Sequence, residues 1–399
     1  MKFKTYKIKD LINEISMGPF GSNIKVECFV DSGIPVLNGS NLTGFALNDN
    51  SFRYVTPEKA DSLGKANAYR GDIVITHRGT LGQIVFIPKN SKHSRYVISQ
   101  SQFRVKCNEK ILPEYLVYYF HTNAGQHKLL SNASQVGVPA LARASTTFQT
   151  LEIDIPDVTE QRKIVDLLET IREKIELNNA INNNLEQQAQ AIFENEFLSL
   201  QSLPDGWKQA SLIDIADYLN GLAMQKYRPS ANEIGIPVLK IKELRQGCCD
   251  DNSEFCSPSI KSDYIIHDGD VIFSWSGSLL VDFWCGGICG LNQHLFKVSS
   301  SNYDKWFYYA WTKHHLDRFI AVAADKATTM GHIKRDELAK AEVLIPNETD
   351  YNRIGALLQP IYDLIISNRI ENKKLAETRD SLLPKLMSGE IDMSEVDYE

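Results

Sequence analysis

The chain is short of the features that would commit a protein to a membrane, a disulfide framework or a catalytic centre of its own. Its 399 residues contain no run of about 18 apolar residues, so no bilayer-spanning helix is expected. The opening stretch from Met1 to Asp10 has lysines but no apolar segment behind them, so no secretory signal is expected and a cytoplasmic location is. Seven cysteines, an odd number scattered along a long chain, point to reduced thiols. Cys248, Cys249, Cys256, Cys285 and Cys289 crowd the second half, yet without a paired C-x-x-C or accompanying histidines they do not form a zinc pattern, and no metal is expected. No Asn/Asp-Pro-Pro-aromatic string is present to grip a flipped adenine, and no glycine-rich cofactor loop. No G-x-x-x-x-G-K-[ST] phosphate loop occurs either. The chain is therefore expected to carry neither catalytic residues nor a cofactor. A net charge of -7 argues against indiscriminate nucleic-acid binding, because non-specific affinity comes mainly from neutralised phosphates. Any DNA surface has to be local, with acidic residues around Glu169 to Glu176 and Glu371 to Glu377 on solvated helix faces.

What the chain does have is an internal repeat. Gly33-Ile34-Pro35-Val36-Leu37 returns as Gly235-Ile236-Pro237-Val238-Leu239, at an offset of 202. Gly71-Asp72-Ile73-Val74-Ile75 returns as Gly269-Asp270-Val271-Ile272-Phe273 at 198. Gln100 with Phe103-Arg104-Val105 returns as Gln293 with Phe296-Lys297-Val298, and Tyr118-Tyr119 as Tyr308-Tyr309. From Ile155-Pro156, matched by Ile345-Pro346, the offset settles at 190 and stays there without a gap. Each copy reads as a strand-rich mixed front of roughly 150 residues and a helical back of about 40. Strands are expected over Asp72–Thr76, Ile84–Ile87, Phe103–Lys106, Val271–Ser274 and Leu295–Val298. Asp72 and Asp270, lone carboxylates after glycine, read as turn residues rather than acid catalysts. The aromatic stretches at Tyr118-Tyr119 and Trp306 to Trp311 read as core helix.

The helical backs carry a seam of apolar residues spaced four and three apart, the pattern of a coiled coil. In the first it runs through Ile164, Leu168, Ile171, Ile175, Leu185, Ala189 and Ile192, and in the second through Ile354, Leu358, Ile361, Ile365, Leu375, Leu382 and Leu386. Both seams break at the same place, at Asn178 with Asn182 and at Asn368 with Asn372. An antiparallel pairing would bring the four asparagines into one layer, which would penalise wrong registers. The alternative is that each helix packs on its own domain with the asparagines exposed. The first helix is expected from Glu160 to about Leu198, ended by the linker Ser202-Leu203-Pro204-Asp205-Gly206; Thr159, and Thr349 or Asp350, are the candidate caps. About 38 residues of helix measure about 57 Å.

In their order and their recurrence, these segments resemble the specificity subunits of type I restriction-modification enzymes. The resemblance is carried by Met17-Gly18-Pro19-Phe20-Gly21-Ser22, the Gly-Ile-Pro-Val segments, and Gly71-Asp72 followed by Arg78-Gly79-Thr80-Leu81-Gly82. It continues through Gln161-Arg162-Lys163-Ile164, Leu291-Asn292-Gln293-His294 and Leu386-Met387-Ser388-Gly389-Glu390-Ile391, so that it covers nearly the whole chain. It implies an α+β chain in which two mixed α/β target-recognition domains, related by a pseudo-two-fold, are separated by two long antiparallel coiled-coil helices. The corresponding spans are 1–158 and 201–347 for the domains, 159–200 and 348–390 for the helices, and 391–399 for a tail. It further implies an asymmetric bipartite DNA target, docking of two methyltransferase subunits, and endonuclease/translocase subunits in the full complex. S-adenosylmethionine, ATP and Mg would belong to those partners. Two alternatives stay open: a methylation-only complex, and a coiled-coil scaffold that binds protein alone.

Candidate DNA contacts come from basic and small polar residues in loops between the expected strands. In the first copy they are Lys25, His77, Arg78, Thr80, Arg95, Arg143, Ser145 and Thr146. In the second they are Lys240, Lys242, Ser276, Ser278, Lys326, Thr328, His332, Lys334 and Arg335. The second copy departs from the first where Trp275-Ser276-Gly277-Ser278 stands in place of His77-Arg78-Gly79-Thr80, so Arg78 has no direct counterpart. Each of these side chains also reads as an ordinary solvated one.

Overall fold

A computed structural model of the chain describes residues 1–134, 137–325, 333 and 335–394. It divides into two compact units: Met1–Arg172 together with the chain from Glu377 onward, and Glu173–Ala376.

In the first unit, Lys4–Lys7 pairs antiparallel with Glu152–Ile155. A four-stranded antiparallel sheet has the order Ile12–Met17, Gln102–Cys107, Ile73–Thr76, Ile84–Phe86. A five-stranded sheet runs Phe29–Val30, Arg53–Val55, Ile34–Val36, Arg95–Val97, Asn67–Tyr69, with one parallel pairing, Val36 opposite Val97. Ile73–Thr76 is buried along its whole length because both faces of its sheet are covered. Ile73 and Ile75 face a core built with the helix Pro113–His121, whereas Val74 joins a second core with Leu37, Tyr96 and Ile98. The strand period of two assigns each residue to its layer.

The second unit repeats this plan, with four strands in place of five in its second sheet. Lys208–Ser211 pairs with Glu342–Ile345. Asp217–Asn220, Leu295–Ser299, Val271–Ser274 and Leu280–Phe283 form the four-stranded sheet. Phe255–Cys256, Ile236–Leu239, Cys289–Leu291 and Ile265–Ile266 form the second, again with one parallel pairing, between Ile236–Leu239 and Cys289–Leu291. Val271 and Phe273 face the core under the helix Lys305–His314, and Ile272 faces the other. Both aromatic helices are core: Tyr115, Tyr118 and Phe120 are fully buried, as are Trp306, Phe307 and Tyr309 to within 1 %. Asp72 and Asp270 are turn residues, accepting hydrogen bonds from the Tyr69 N–H at 3.0 Å and the His267 N–H at 2.9 Å. Asp72 also meets Arg104 at 3.4 Å, and Asp270 meets Lys297 at 2.9 Å, so the repeat extends to the cation on the neighbouring strand.

Two long helices complete the fold. The first spans Val158–Phe193 and continues as a π-turn over Glu194–Leu198; the second spans Glu348–Ser388. Their caps lie earlier than the sequence suggested. Asp157 accepts the Glu160 N–H at 3.0 Å and Asn347 accepts the Asp350 N–H at 2.9 Å. A cap side chain reaches the amide three residues on, so Thr159, Thr349 and Asp350 already lie inside the helices. Ile164, Val165 and Leu168, with Leu383, Leu386 and Met387 from the far end of the second helix, join the core of the first unit. Ala189, Phe193, Ile354, Leu358 and Ile365 join that of the second. The four-three spacing thus serves the domain cores as well as the helix pair.

Within the second unit the two helices are antiparallel and the four asparagines meet. Asn368 donates to Asn182 at 2.9 Å, Asn178 donates to Asn372 at 2.8 Å, and Asn372 donates to Asn179 at 2.9 Å. Asn178, Asn182 and Asn368 are buried, so these amides replace hydrogen bonds that water would otherwise supply. Ile171 is buried too, and Ile175, Leu185, Ile192, Ile361, Leu375 and Leu382 are half-buried. Glu169, expected on a solvated face, instead accepts from the Tyr118 hydroxyl at 2.6 Å and pairs with Arg172 at 2.6 Å. Glu371 is exposed but bonds Asn178 at 2.7 Å and Lys174 at 3.2 Å.

Candidate nucleic-acid interface

In the first unit, one neck of chain, Ser99–Gln102, gathers loops from several parts of the sequence. The Gly18 N–H donates to the Gln102 carbonyl at 2.8 Å and the His77 N–H to the Ser101 carbonyl at 2.8 Å. His77 Nε2 meets the Gln100 carbonyl at 3.1 Å. Gly18 is required here: a β-carbon would lie 1.8 Å from the Ser99 carbonyl oxygen. The loop after His77 is then clamped to the hairpin Ala133–Ser134/Ala140–Leu141, through Leu141 N–H to the His77 carbonyl at 2.9 Å and Gly79 N–H to the Pro139 carbonyl at 2.8 Å. Past the hairpin, Arg143 opens the short helix Ala144–Thr150 with a φ of 48°, the left-handed region that a non-glycine residue enters only when its surroundings hold it there.

This arrangement holds the backbone firmly and leaves side chains free. Arg78, Thr80, Arg143 and Thr146 are exposed, Ser145 is half-buried, and Lys25 is exposed nearby in sequence to the Gly18 loop. Among the described residues no ion pair engages Lys25, Arg78 or Arg143. His77 is half-buried, and burial lowers its pKa, opposed by its bond to the Gln100 carbonyl and helped by the adjacent Arg78 charge. Arg95 stands apart, on the five-stranded sheet, held by Asp61 at 2.7 Å and by Asn67 at 2.8 Å.

The second unit builds the same frame with different side chains. The Gly221 N–H donates to the Leu295 carbonyl at 3.0 Å, and a β-carbon on Gly221 would lie 2.2 Å from the Asn292 carbonyl oxygen. Trp275 takes the place of His77: the Ile333 N–H donates to its carbonyl at 2.9 Å, as Leu141 does in the first unit. Its indole N–H donates to Asn220 at 3.0 Å. Ser276 is buried against His294 Nδ1 at 3.1 Å, and Ser278 offers its carbonyl to Ser274 at 2.8 Å. Lys240 pairs with Glu254, which also holds Arg228 at 2.9 Å. Lys242 pairs with Asp250 at 2.9 Å, and Arg335 donates to the Tyr218 carbonyl at 2.9 Å. Lys326, Thr328, His332 and Lys334 lie outside the described residues. Asn220 and Gly221 were not singled out from sequence, and Gln100 and His294 stood out there only as a repeat position and as part of a recurrent segment, not as residues that fix the loops; Gly18, in the Met17 to Ser22 segment, was the one signal that marked this neighbourhood.

Among the described residues no group of three or more His, Cys, Asp or Glu side chains could hold a metal ion. Cys256, Cys285 and Cys289 are buried, and burial raises each thiol's pKa, which makes them inert packing residues. No described helix is long and apolar enough to cross a membrane.

A duplicated mixed α/β frame, with loops gathered at a glycine-dependent neck in each copy and a long helix after each, defines an α+β protein with two repeated mixed α/β domains. Residues 2–187 and 204–377 match the family described as type I restriction modification DNA specificity domain, and the chain belongs to that family. It is 25% identical to the type I restriction enzyme MjaIX specificity subunit of Methanocaldococcus jannaschii, over 98% of this chain and 94% of that protein. It is 21% identical to the HindI specificity subunit of Haemophilus influenzae, over 88% and 93%. In fold it is similar to the crystal structure of a type I restriction-modification S subunit from M. genitalium, with a TM-score of 0.59 at 14% identity, covering 96% of each chain.

Proposed function

We propose that this chain is the non-catalytic reader of a cytoplasmic type I restriction-modification complex. Each unit docks on one half of an asymmetric bipartite DNA site, and the long helices set the separation of the halves. Two methyltransferase subunits held by the chain flip and methylate an adenine in each half-site from S-adenosylmethionine, and endonuclease/translocase subunits using ATP and Mg join in the full complex. The observation that carries this reading is the shared loop frame bearing unlike side chains: His77-Arg78 on one, Trp275-Ser276 on the other. A common scaffold with divergent loops suits two domains that bind the same polymer at different sequences. Basic residues such as Arg78 and Arg143 can bind phosphate or a guanine edge, and their local concentration on a chain of net charge -7 favours specific over indiscriminate binding.

The test is selection from a random duplex pool by the purified chain with its methyltransferase. Enrichment of two different short motifs at a fixed gap is expected. Enrichment of nothing, or of one palindrome, overturns the reading.

A further inference from the structure

Phe20 is 83 % exposed, whereas the next most exposed aromatic ring among the described residues, Tyr69, is 48 % exposed. A lone exposed ring is ordinary on a protein surface. What sets Phe20 apart is its mounting. Pro19 precedes it with a fixed φ. Gly18 on one side leaves no room for a β-carbon against the Ser99 carbonyl oxygen, and Gly21 on the other lies against the movable end of the Gln100 side chain. The Asn23 N–H closes the turn onto the Phe20 carbonyl at 2.8 Å. The backbone is thus pressed against the same neck, Ser99–Gln102, that anchors His77 and the Arg78 loop, while the ring is left in solvent. The second unit does not do this. After Gly221 its chain turns inward, and Met224, 1 % exposed, packs with Val238, Cys256 and Ile260.

We propose that Phe20 is a wedge: its ring inserts at a base step of the half-site read by the first unit, and only there. The inference rests on the reading of the chain as a DNA-recognition subunit. A rigid apolar ring gains most from base faces, which offer flat apolar surface once a step is opened, and such wedges kink the duplex. Opening is least costly at pyrimidine–purine steps, so Phe20 would select a TA or CA/TG step at a position that no hydrogen bond reads. The basic side chains Lys25 and Arg78 on the flanking loops would hold the backbone on either side of the opened step.

The experiment uses the chain with its methyltransferase subunits and duplexes carrying the selected site, with 2-aminopurine placed in turn at each position of each half-site. Unstacking raises 2-aminopurine fluorescence. Wild type is expected to raise it at one step of one half-site, in addition to the rise at each methylated adenine caused by base flipping in the partner. Phe20→Ala is expected to abolish the step signal alone and weaken binding about tenfold, while keeping the flipping signals and the melting temperature. Phe20→Leu, still an apolar wedge, is expected to restore part of the step signal. An unchanged step signal in Phe20→Ala overturns the wedge, as does loss of methyltransferase co-purification, which would place Phe20 against protein. If wild type binds the duplex with no step signal, the wedge fails and the recognition reading stands. If wild type binds no duplex, both fail.

Discussion

The two units share a frame and differ, among the described residues, in how several of their basic loop side chains are paired. In the first, Arg78 stands exposed on the loop clamped to Ser99–Gln102, Arg143 on the segment that follows the hairpin bonded to that loop, and Lys25 a few residues beyond the Gly18 loop. In the second, Lys240, Lys242 and Arg335 are engaged within the protein, by Glu254, Asp250 and the Tyr218 carbonyl. The layer beneath reverses less: each sheet carries one cation–carboxylate pair at the same place, but Arg104–Asp72 is 6 % and 4 % exposed, while Lys297–Asp270 is 21 % and 24 % exposed. Duplication has preserved the backbone solution, and the side chains on it have been free to take on different partners. A basic residue in a loop is therefore a poor guide to DNA contact until its neighbours are known.

The largest effect that would sharpen this comparison lies in the buried pairs. Arg104→Met leaves the buried Asp72 without its cation, together with the partly exposed Glu14 that Arg104 meets at 2.8 Å, and is expected to lower stability by about 3–5 kcal/mol. Burial already raises the Asp72 carboxyl above its ordinary value despite the Tyr69 N–H and the Arg104 charge, so little is held in reserve. Lys297→Met, at a wetter pair, is expected to cost about 1 kcal/mol or less. Urea unfolding of both variants measures this, and equal losses would break the distinction.

Next in size is the helix pair. Asn182→Leu strands the buried Asn368 amide and is expected to cost about 1–3 kcal/mol, most of it recovered by the double replacement Asn182→Leu/Asn368→Leu. A double variant no more stable than the single one would show that this amide pair is not what holds the layer together.

The DNA effects come third. Removing Lys25, Arg78 and Arg143 together is expected to weaken binding and to reduce the slope of log affinity against log salt by about one for each phosphate no longer neutralised. Lys240→Ala with Lys242→Ala is expected to leave the slope unchanged, because those charges are already neutralised by carboxylates. A salt titration of both variants decides whether the contrast in pairing governs binding.

The smallest effect is the response to acid. Burial lowers the pKa of His315 to about 4, with the His314 and Arg318 charges acting in the same direction and the Glu342 carbonyl opposing them. A histidine depressed in the folded state takes up its proton more readily when unfolded. Its contribution is present above the unfolded value near 6.5 and is lost as pH falls toward 4. The melting temperature of the second unit should drop between pH 7 and 5, and His315→Gln should flatten part of that drop; a parallel curve in the variant would show that His315 plays no part in it.

Much of the fold was legible because it is periodic. Val271–Ser274 is a strand to the residue, the aromatic helices are core, and the asparagine layer follows from two seams broken at one shared position. The candidate interface was less legible, because it depends on pairings between distant residues. Nothing in the spacing of Lys240 announces Glu254, which meets it only once the loop between them is folded. Nothing in a Gly-Pro-Phe-Gly string says that the glycines press on Ser99 and Gln100 and leave the ring outside. Capping slipped for a related reason: Asp157 and Thr159 are both good caps by type, and only the strand exit decides between them.

The central claim, that each unit reads its own half of a split site, is tested most directly by sequencing methylated DNA from cells carrying the chain or its Arg78→Ala variant, with the cognate methyltransferase. Two unlike motifs at a fixed gap are predicted for the natural chain, and relaxed specificity in one motif alone for the variant. A single palindromic motif, or relaxation of both halves together, would contradict it.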